Sequence, residues 1–517
     1  LVVGSWRCGL PSTTTAVQAG LLFGNRDDIP GFRWYDKEQR ASVVTKRPDH
    51  MRALRARISQ RRLGILRGGS CYVSVFDGDA DLALFTLSSF HSQRFFESAR
   101  GLGLFLLFLL SPLRVLHLLW RILCGYLRRL WRRLKASTRR NVVNLLDLIT
   151  PFLSTAADVL FTEVQTFGII MDIYRCVPSI YSNYTGYDEM AHKAGPDRSA
   201  AFEALRIIDR AIRQVNRMRV RYRRREYDLY IMSDHGNTPS VPFSWIHEGM
   251  LGDAIRAQIG EPINLVELVG AHLDSSEHAR FMLDEVRGIE RRLSPRLRRI
   301  SASARLYVRR RLLTPGGSDY NLSRQGDIVV SANGPLAHIY FNVADRPLDL
   351  AEVLLLYPQL VDALLSTPGI GVVAGRAERR TVILAPGSGV LTIGPTGRHL
   401  DGQHPLDSFG DVAYAEAQLH RLVQFPHAGD LVVLGGMLPD GRVVTFEKQL
   451  ATHGSLGGTQ LQAFVARPPE CPLAINTLDD PEALYTYFTA RYLSDLDTGP
   501  GERLTRLCEM GTAQRFG

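Results

Sequence analysis

Paired cysteines are missing from this sequence: Cys8, Cys71, Cys124, Cys176, Cys471 and Cys508 lie far apart, with no C-x-x-C motif. Such spacing argues against a cysteine metal site and against a disulfide framework, and it leaves the redox compartment open. Long apolar runs are missing too. A single helix needs about 20 apolar residues to span a bilayer, and the unbroken run Gly101 to Leu110 stops well short of that. No internal repeat and no low-complexity tract is present, which excludes solenoid and tail-like architectures. Residue 1 is Leu rather than Met, and the first residues already read as a strand entering a loop. The natural N-terminus, with any export signal, is therefore expected to lie upstream.

What is present is enough chain for a large core: 517 residues, 45% of them apolar and 22% charged, an ordinary globular composition. The net charge of +10 is unevenly spread. Arginines crowd Arg114 to Arg140, Arg206 to Arg225 and Arg287 to Arg311, whereas carboxylates outnumber basic groups from Asp401 onward.

The pattern is α/β. Short apolar runs such as Tyr227 to Met232 alternate with amphipathic segments such as Ser199 to Met218, where Phe202, Leu205, Ile208, Ile212 and Val215 recur at helical spacing. That spacing predicts a helix covering a parallel sheet. Two stretches of other composition interrupt the pattern. They divide the chain into α/β residues 1–85, an apolar and basic helical insertion at 86–150, α/β residues 151–274, a basic helical insertion at 275–314, and α/β residues 315–517.

In the first insertion Arg114, Arg121, Arg128 and Arg132 fall at spacings of seven, seven and four, on one helical stripe, with Leu116, Leu119, Trp120, Ile122, Leu123 and Leu127 covering much of the rest. This suits a helix lying in a membrane interface. It also suits a helix packed on the protein or on a second subunit, and two tilted membrane helices form a third alternative. In the second insertion Arg291, Arg292, Arg296, Arg298 and Arg299 lack interleaved aromatic residues, so a solvated helical pair is expected rather than a nucleic-acid site.

Candidate chemistry sits in four places. The apolar run Tyr227 to Met232 leads through Ser233 into Asp234-His235-Gly236, and the carboxyl ends of strands are where α/β sheets bind ligands. Upstream, Asp188 and His192 stand four apart, so one helical turn aims both at a common point. Downstream, His453 sits in the glycine-rich loop Thr452-His-Gly-Ser-Leu-Gly-Gly458. Carboxylates and neutral imidazoles are ligands that zinc accepts, and two such sets about 4 Å apart form a two-metal clamp. Near the start, Leu10-Pro-Ser-Thr-Thr-Thr15 gathers hydroxyls at the N-terminus of a predicted helix through Phe23, where anions are favoured. Taken singly, these features also read as an N-cap, a turn and a surface histidine.

The order of the parts, a hydroxyl cluster, D-x-x-x-H-x-x-G-P, a strand with S-D-H-G and a late H-G-S-L-G-G, resembles the type I phosphodiesterase and nucleotide pyrophosphatase family of the alkaline phosphatase superfamily. The resemblance covers about Pro11 to Asp36, Ile169 to Thr238 and Val329 to Pro468. It implies a three-layer α/β/α sandwich with a mostly parallel central sheet, carrying the two segments above as helical insertions. It also implies a metal-dependent hydrolase of phosphate esters that uses two divalent metal ions, with zinc expected.

Matched position by position, the resemblance makes Thr14 the nucleophile, with Ser12 and Thr13 as competitors. Asp188, His192 and His453 would hold one metal, and Asp234, His235 and the nucleophile oxygen the other. One further aspartate of the family, from a strand before the nucleophile, has no counterpart here. Where the family's phosphodiesterases commonly offer an asparagine to phosphate, this chain has Phe32-Arg33-Trp34-Tyr35-Asp36, and Arg33 is expected to replace it through a bidentate guanidinium.

A sulfatase fits poorly, because Cys8-Gly-Leu-Pro11-Ser12 sets the proline one position late and lacks the arginine. A phosphomonoesterase or a metal-dependent mutase of the same superfamily remains open, as does a membrane-associated scaffold without turnover. The expected partners are a phosphate-ester substrate and a membrane surface, with no nucleic acid beyond substrate. The expected location is membrane-associated, with cytoplasmic as the alternative.

Overall fold

The structure, a computed structural model, describes residues 1–60, 62–89, 112–136, 145–259, 263–269, 326–395 and 397–493. Strand β1 (Val2–Arg7) leads through a loop with a cis Leu10–Pro11 bond into α1 (Thr14–Phe23). A hairpin of β2 (Arg33–Asp36) and β3 (Ala41–Val44) precedes α2 (Pro48–Ile58), then β4 (Ser70–Tyr72) and β5 (Leu82–Leu84). Two long helices follow, α3 (Pro112–Ala136) and α4 (Leu145–Tyr174). Next come β6 (Ile180–Ser182), α5 (Gly186–Ala194), α6 (Ser199–Arg221), β7 (Ile231–Met232), β8 (Thr238–Pro242), α7 (Leu251–Ile259) and β9 (Leu265–Leu268).

Beyond the second insertion lie β10 (Ile328–Asn333), β11 (Leu336–Phe341), α8 (Leu350–Leu356), α9 (Leu360–Ser366), β12 (Ile370–Ala377), β13 (Arg380–Leu384), β14 (Val390–Gly394) and β15 (Gly397–Asp401). The described chain closes with α10 (Val412–Val423), β16 (Leu431–Gly435), β17 (Val443–Thr445), β18 (Ala451–Thr452), β19 (Gln462–Arg467) and α11 (Pro481–Tyr492).

The fold is mixed α/β, as expected, but the expectation of a mostly parallel sheet needs correcting among the described strands. The largest sheet, in the order β15-β14-β13-β12-β16-β11-β10-β9, is antiparallel at every pairing except β9 with β10. Turns of a few residues join β10 to β11 and β12 through β15, and a short connection forces an antiparallel neighbour. Parallel pairing recurs between β4 and its two neighbours and between β8 and β17.

Both faces of the large sheet are covered. Val433 points into a core with Ile255, Val353 and Leu364 of α7 to α9, whereas Val432 and Leu434 point to the other side, toward Leu419 and Leu422 of α10. This alternation is the two-residue period of a strand. A separate core wraps α1, where Val17 and Leu21 meet Trp6, Val465 and Leu484 of α11.

Helices α3 and α4 pack together and join α6 over β4 and β5, through Leu118, Val164, Phe167, Val215, Tyr72 and Leu84. Arg121 of the expected arginine stripe bonds Glu163 of α4, so at that point the stripe turns toward the protein. Helix α4 runs straight through the expected boundary at residue 150. On α6, Val215 is buried as expected, but Phe202 and Leu205 are exposed. Among the described residues no helix is long and apolar enough to cross a membrane. The apolar run Gly101 to Leu110 and the insertion 275–314 lie outside the described residues.

Candidate active site

Strand register assembles the site. β19 lies between β1 and β7 and is antiparallel to both, with Arg7 opposite Gln462 and Met232 opposite Val465. β1 and β7 therefore run in one direction, and Cys8–Thr14 and Ser233–His235 emerge at the same end of the sheet. β18 pairs with β8 so that Thr452 faces Thr238, which sets His453 beside the Asp234-His235 turn. The Leu450 N–H donates to the His192 carbonyl and ties α5 to the same strand.

The side chains then converge. Thr14 Oγ1 lies 3.3 Å from His235 Nε2. Asp188 Oδ2 lies 3.1 Å from His192 Nε2 and 3.5 Å from His453 Nε2. The His235 and His453 rings stack with centroids 3.6 Å apart, and His192 stacks on His453 at 5.1 Å. Asp188, His235 and His453 each offer a ligand atom, all within 4.8 Å of one another. His235 thus lies close to Asp188 and His453 as well as next to Asp234 in the chain.

Backbone carbonyls set the tautomers. His192 Nδ1 lies 2.7 Å from the Ala451 carbonyl oxygen, His453 Nδ1 2.8 Å from that of Ser12, and His235 Nδ1 2.9 Å from that of Gly236. A carbonyl only accepts, so each Nδ1 carries a proton, and in the neutral ring Nε2 then has its lone pair aimed into the cluster. Burial, reinforced by the neighbouring His453, pushes the His235 imidazole down to about 3, so it is neutral at physiological pH.

Lone pairs facing a carboxylate repel unless positive charge lies between them. Bonds of about 2.0–2.1 Å to a tetrahedral zinc put neighbouring ligand atoms roughly 3.3 Å apart, and the two Asp188 distances, 3.1 and 3.5 Å, bracket that value. Contacts from Nδ1 to a carbonyl are also what orients metal-binding histidines. The donor set therefore fits a divalent cation.

Asp234 is held separately. Gln18 Nε2 donates to its Oδ2 at 3.3 Å, while Gln18 Oε1 accepts from Ser74 Oγ at 2.8 Å and from the Val75 N–H at 2.9 Å. Burial pushes the Asp234 carboxyl up to about 7, with Gln18 pulling it down and Asp188 adding to the rise. Sequence reasoning missed Gln18, although it lies four residues after Thr14 and so shares its face of α1. It also missed Asn237, whose Nδ2 donates to Asp188 Oδ1 at 2.9 Å from the same turn that carries His235.

Of the three candidate hydroxyls, two have structural partners. Ser12 Oγ accepts from the Gly454 N–H at 2.9 Å and donates to the Ser455 carbonyl at 3.2 Å, tying its loop to that of His453. Thr13 caps α1, accepting from the Ala16 N–H. Thr14 faces His235.

Arg33, expected on substrate phosphate, is instead buried, its guanidinium engaged by Glu447 and the Ala332 carbonyl. Its neighbour Phe32 is the residue that reaches the cluster, edge-on to His453 at 5.4 Å. Gly236 permits close approach: a Cβ there would run into the Thr459 carbonyl oxygen.

Residues 152–341, which contain Asp188, His192, Asp234 and His235, match the type I phosphodiesterase / nucleotide pyrophosphatase family. By that match this part of the chain is similar to a family of phosphoester hydrolases. Similar solved structures include two of phosphonoacetate hydrolase from Sinorhizobium meliloti 1021. The complex with phosphonoformate has 12% identity and a TM-score of 0.39, and the complex with phosphonoacetate 13% and 0.40; each alignment covers 95% of this chain and 87% of the other. No curated protein matches the chain.

Proposed function

We propose that this chain is a metal-dependent hydrolase of phosphate esters, acting through Thr14 as nucleophile and two divalent metal ions, zinc by the chemistry of the donors. The observation that carries the reading is the convergence of the His192 and His453 Nε2 atoms on the Asp188 carboxylate beside His235, an arrangement that a bound cation would hold together. Asp188, His192 and His453 would hold one ion, and Asp234, His235 and Thr14 Oγ1 the other. Bound cations would supply Lewis acidity, lowering the pKa of the Thr14 hydroxyl and offsetting charge on the phosphoryl oxygens.

Thr14 Oγ1 gives up its proton to solvent and bonds to phosphorus as the bond from phosphorus to the leaving oxygen breaks; that oxygen takes a proton from water. The N-terminus of α1 faces the phosphoryl oxygens and favours their charge. Water then attacks the phosphothreonine, releasing phosphate or a phosphomonoester and restoring the hydroxyl. The family match favours diesters as substrates, and the basic, apolar composition of α3 favours work at a membrane surface.

Metal analysis of the purified chain should find about two zinc ions. Thr14→Ala should lower turnover of a chromogenic phosphodiester on the order of a thousandfold or more. Full activity after chelation, or in Thr14→Ala, would sink the mechanism.

A further inference from the structure

Helix α3 presents an apolar face to solvent. Leu116, Leu119, Trp120, Leu123, Leu127 and Trp131 are all exposed, the two tryptophans at 63% and 70%. Spacings of three, four, seven, eleven and fifteen from Leu116 fall within an arc of roughly 120° on a helix of 3.6 residues per turn. The opposite side is already occupied: Leu118 is buried in the core shared with α4, and Arg121 bonds Glu163. This inverts the usual arrangement of a surface helix, and scattered single exposures do not explain a continuous stripe.

Charge decides what covers it. Pro112–Ala136 contains six arginines and one lysine and no acidic residue. A second copy of this chain would bring an equally basic helix against the first, and like charges oppose that pairing. A nucleic acid would match the charge but would leave a leucine stripe without a partner. An anionic lipid surface satisfies both, since it takes apolar side chains into its acyl boundary and basic ones at its headgroups. Tryptophan, with an apolar ring and one N–H, suits that depth.

We propose that α3 is the membrane-docking element of this protein, lying in the plane of an anionic bilayer with the Leu116–Trp131 stripe inserted. No catalytic residue takes part, so the proposal stands or falls independently of the hydrolase mechanism.

The test is sedimentation of the full chain with vesicles of phosphatidylcholine alone and of phosphatidylcholine mixed with phosphatidylserine. Binding to the mixed vesicles is expected, weaker on the neutral ones and weakened by salt. The triple variant Leu119→Ser, Trp120→Ser, Leu123→Ser changes only exposed side chains. It should keep its circular dichroism and melting temperature while partitioning on the order of tenfold or more less into the mixed vesicles. Three results would overturn the proposal: no vesicle binding by the folded wild-type chain, a dimer in light scattering that this triple variant dissolves, or binding that survives the triple variant and is lost only when Phe105 and Phe108 of the neighbouring apolar run are changed to serine.

Discussion

Histidine shows how little a residue type says without its surroundings. His192, His235 and His453 each turn Nδ1 to a carbonyl and Nε2 into the site, toward Asp188 for His192 and His453 and toward Thr14 for His235. His427 instead meets carboxylates on both sides, Asp28 at Nδ1 and Asp36 at Nε2, and the Asp28 hydrogen bond, working against burial, raises its pKa. A raised pKa means that protonation stabilises the fold. That contribution is complete below the unfolded value of about 6.5 and is lost as pH rises through the higher folded value. His427→Gln should therefore lower the urea midpoint more at pH 6 than at pH 9, and an equal loss at both would contradict the assignment. The hydroxyls divide in the same way. Thr13→Ala, which removes a cap, should cost about 1 kcal/mol of stability while leaving most of the activity. A collapse of turnover in Thr13→Ala at unchanged Thr14→Ala activity would transfer the nucleophile to Thr13.

At the scale of elements, the Ser199 helix and the strand ending at Met232 were legible because periodicity and a terminal D-H-G signal are local. The pairing of β19 with both β1 and β7 was not, because nothing near Gln462 names its partners across more than two hundred residues. The fit of α1 against α11 was equally hidden. Gly20 lies where an added Cβ would come within 2.5 Å of Pro481 Cγ, and Pro481 is fixed as the first residue of its helix by the Asp480 cap. Gly20→Val should overpack this contact and cost about 1–3 kcal/mol, seen as a lower melting temperature. A neutral substitution would show that α11 yields freely.

For the whole molecule, the prediction concerns metal and stability together. Zinc at a hundred times its dissociation constant should add about 2.7 kcal/mol to unfolding stability. Asp188→Asn, which removes the charge on which His192 and His453 converge, should abolish most of that gain. An Asp188→Asn chain that gains as much from zinc as wild type would place the cation elsewhere.

The sequence by itself determined the inventory and order of chemical parts, and with them the family resemblance, because short motifs carry their chemistry in residue type and spacing. It also determined that α3 is basic and leucine-rich. Only the tertiary structure decided that His235 joins Asp188 and His453, that Thr14 rather than Ser12 or Thr13 faces an imidazole, that Arg33 is bound to Glu447, and which side of α3 is left bare. Each of these depends on strands and helices distant in the chain being brought together by burial, and on hydrogen-bond partners that exist only after they meet.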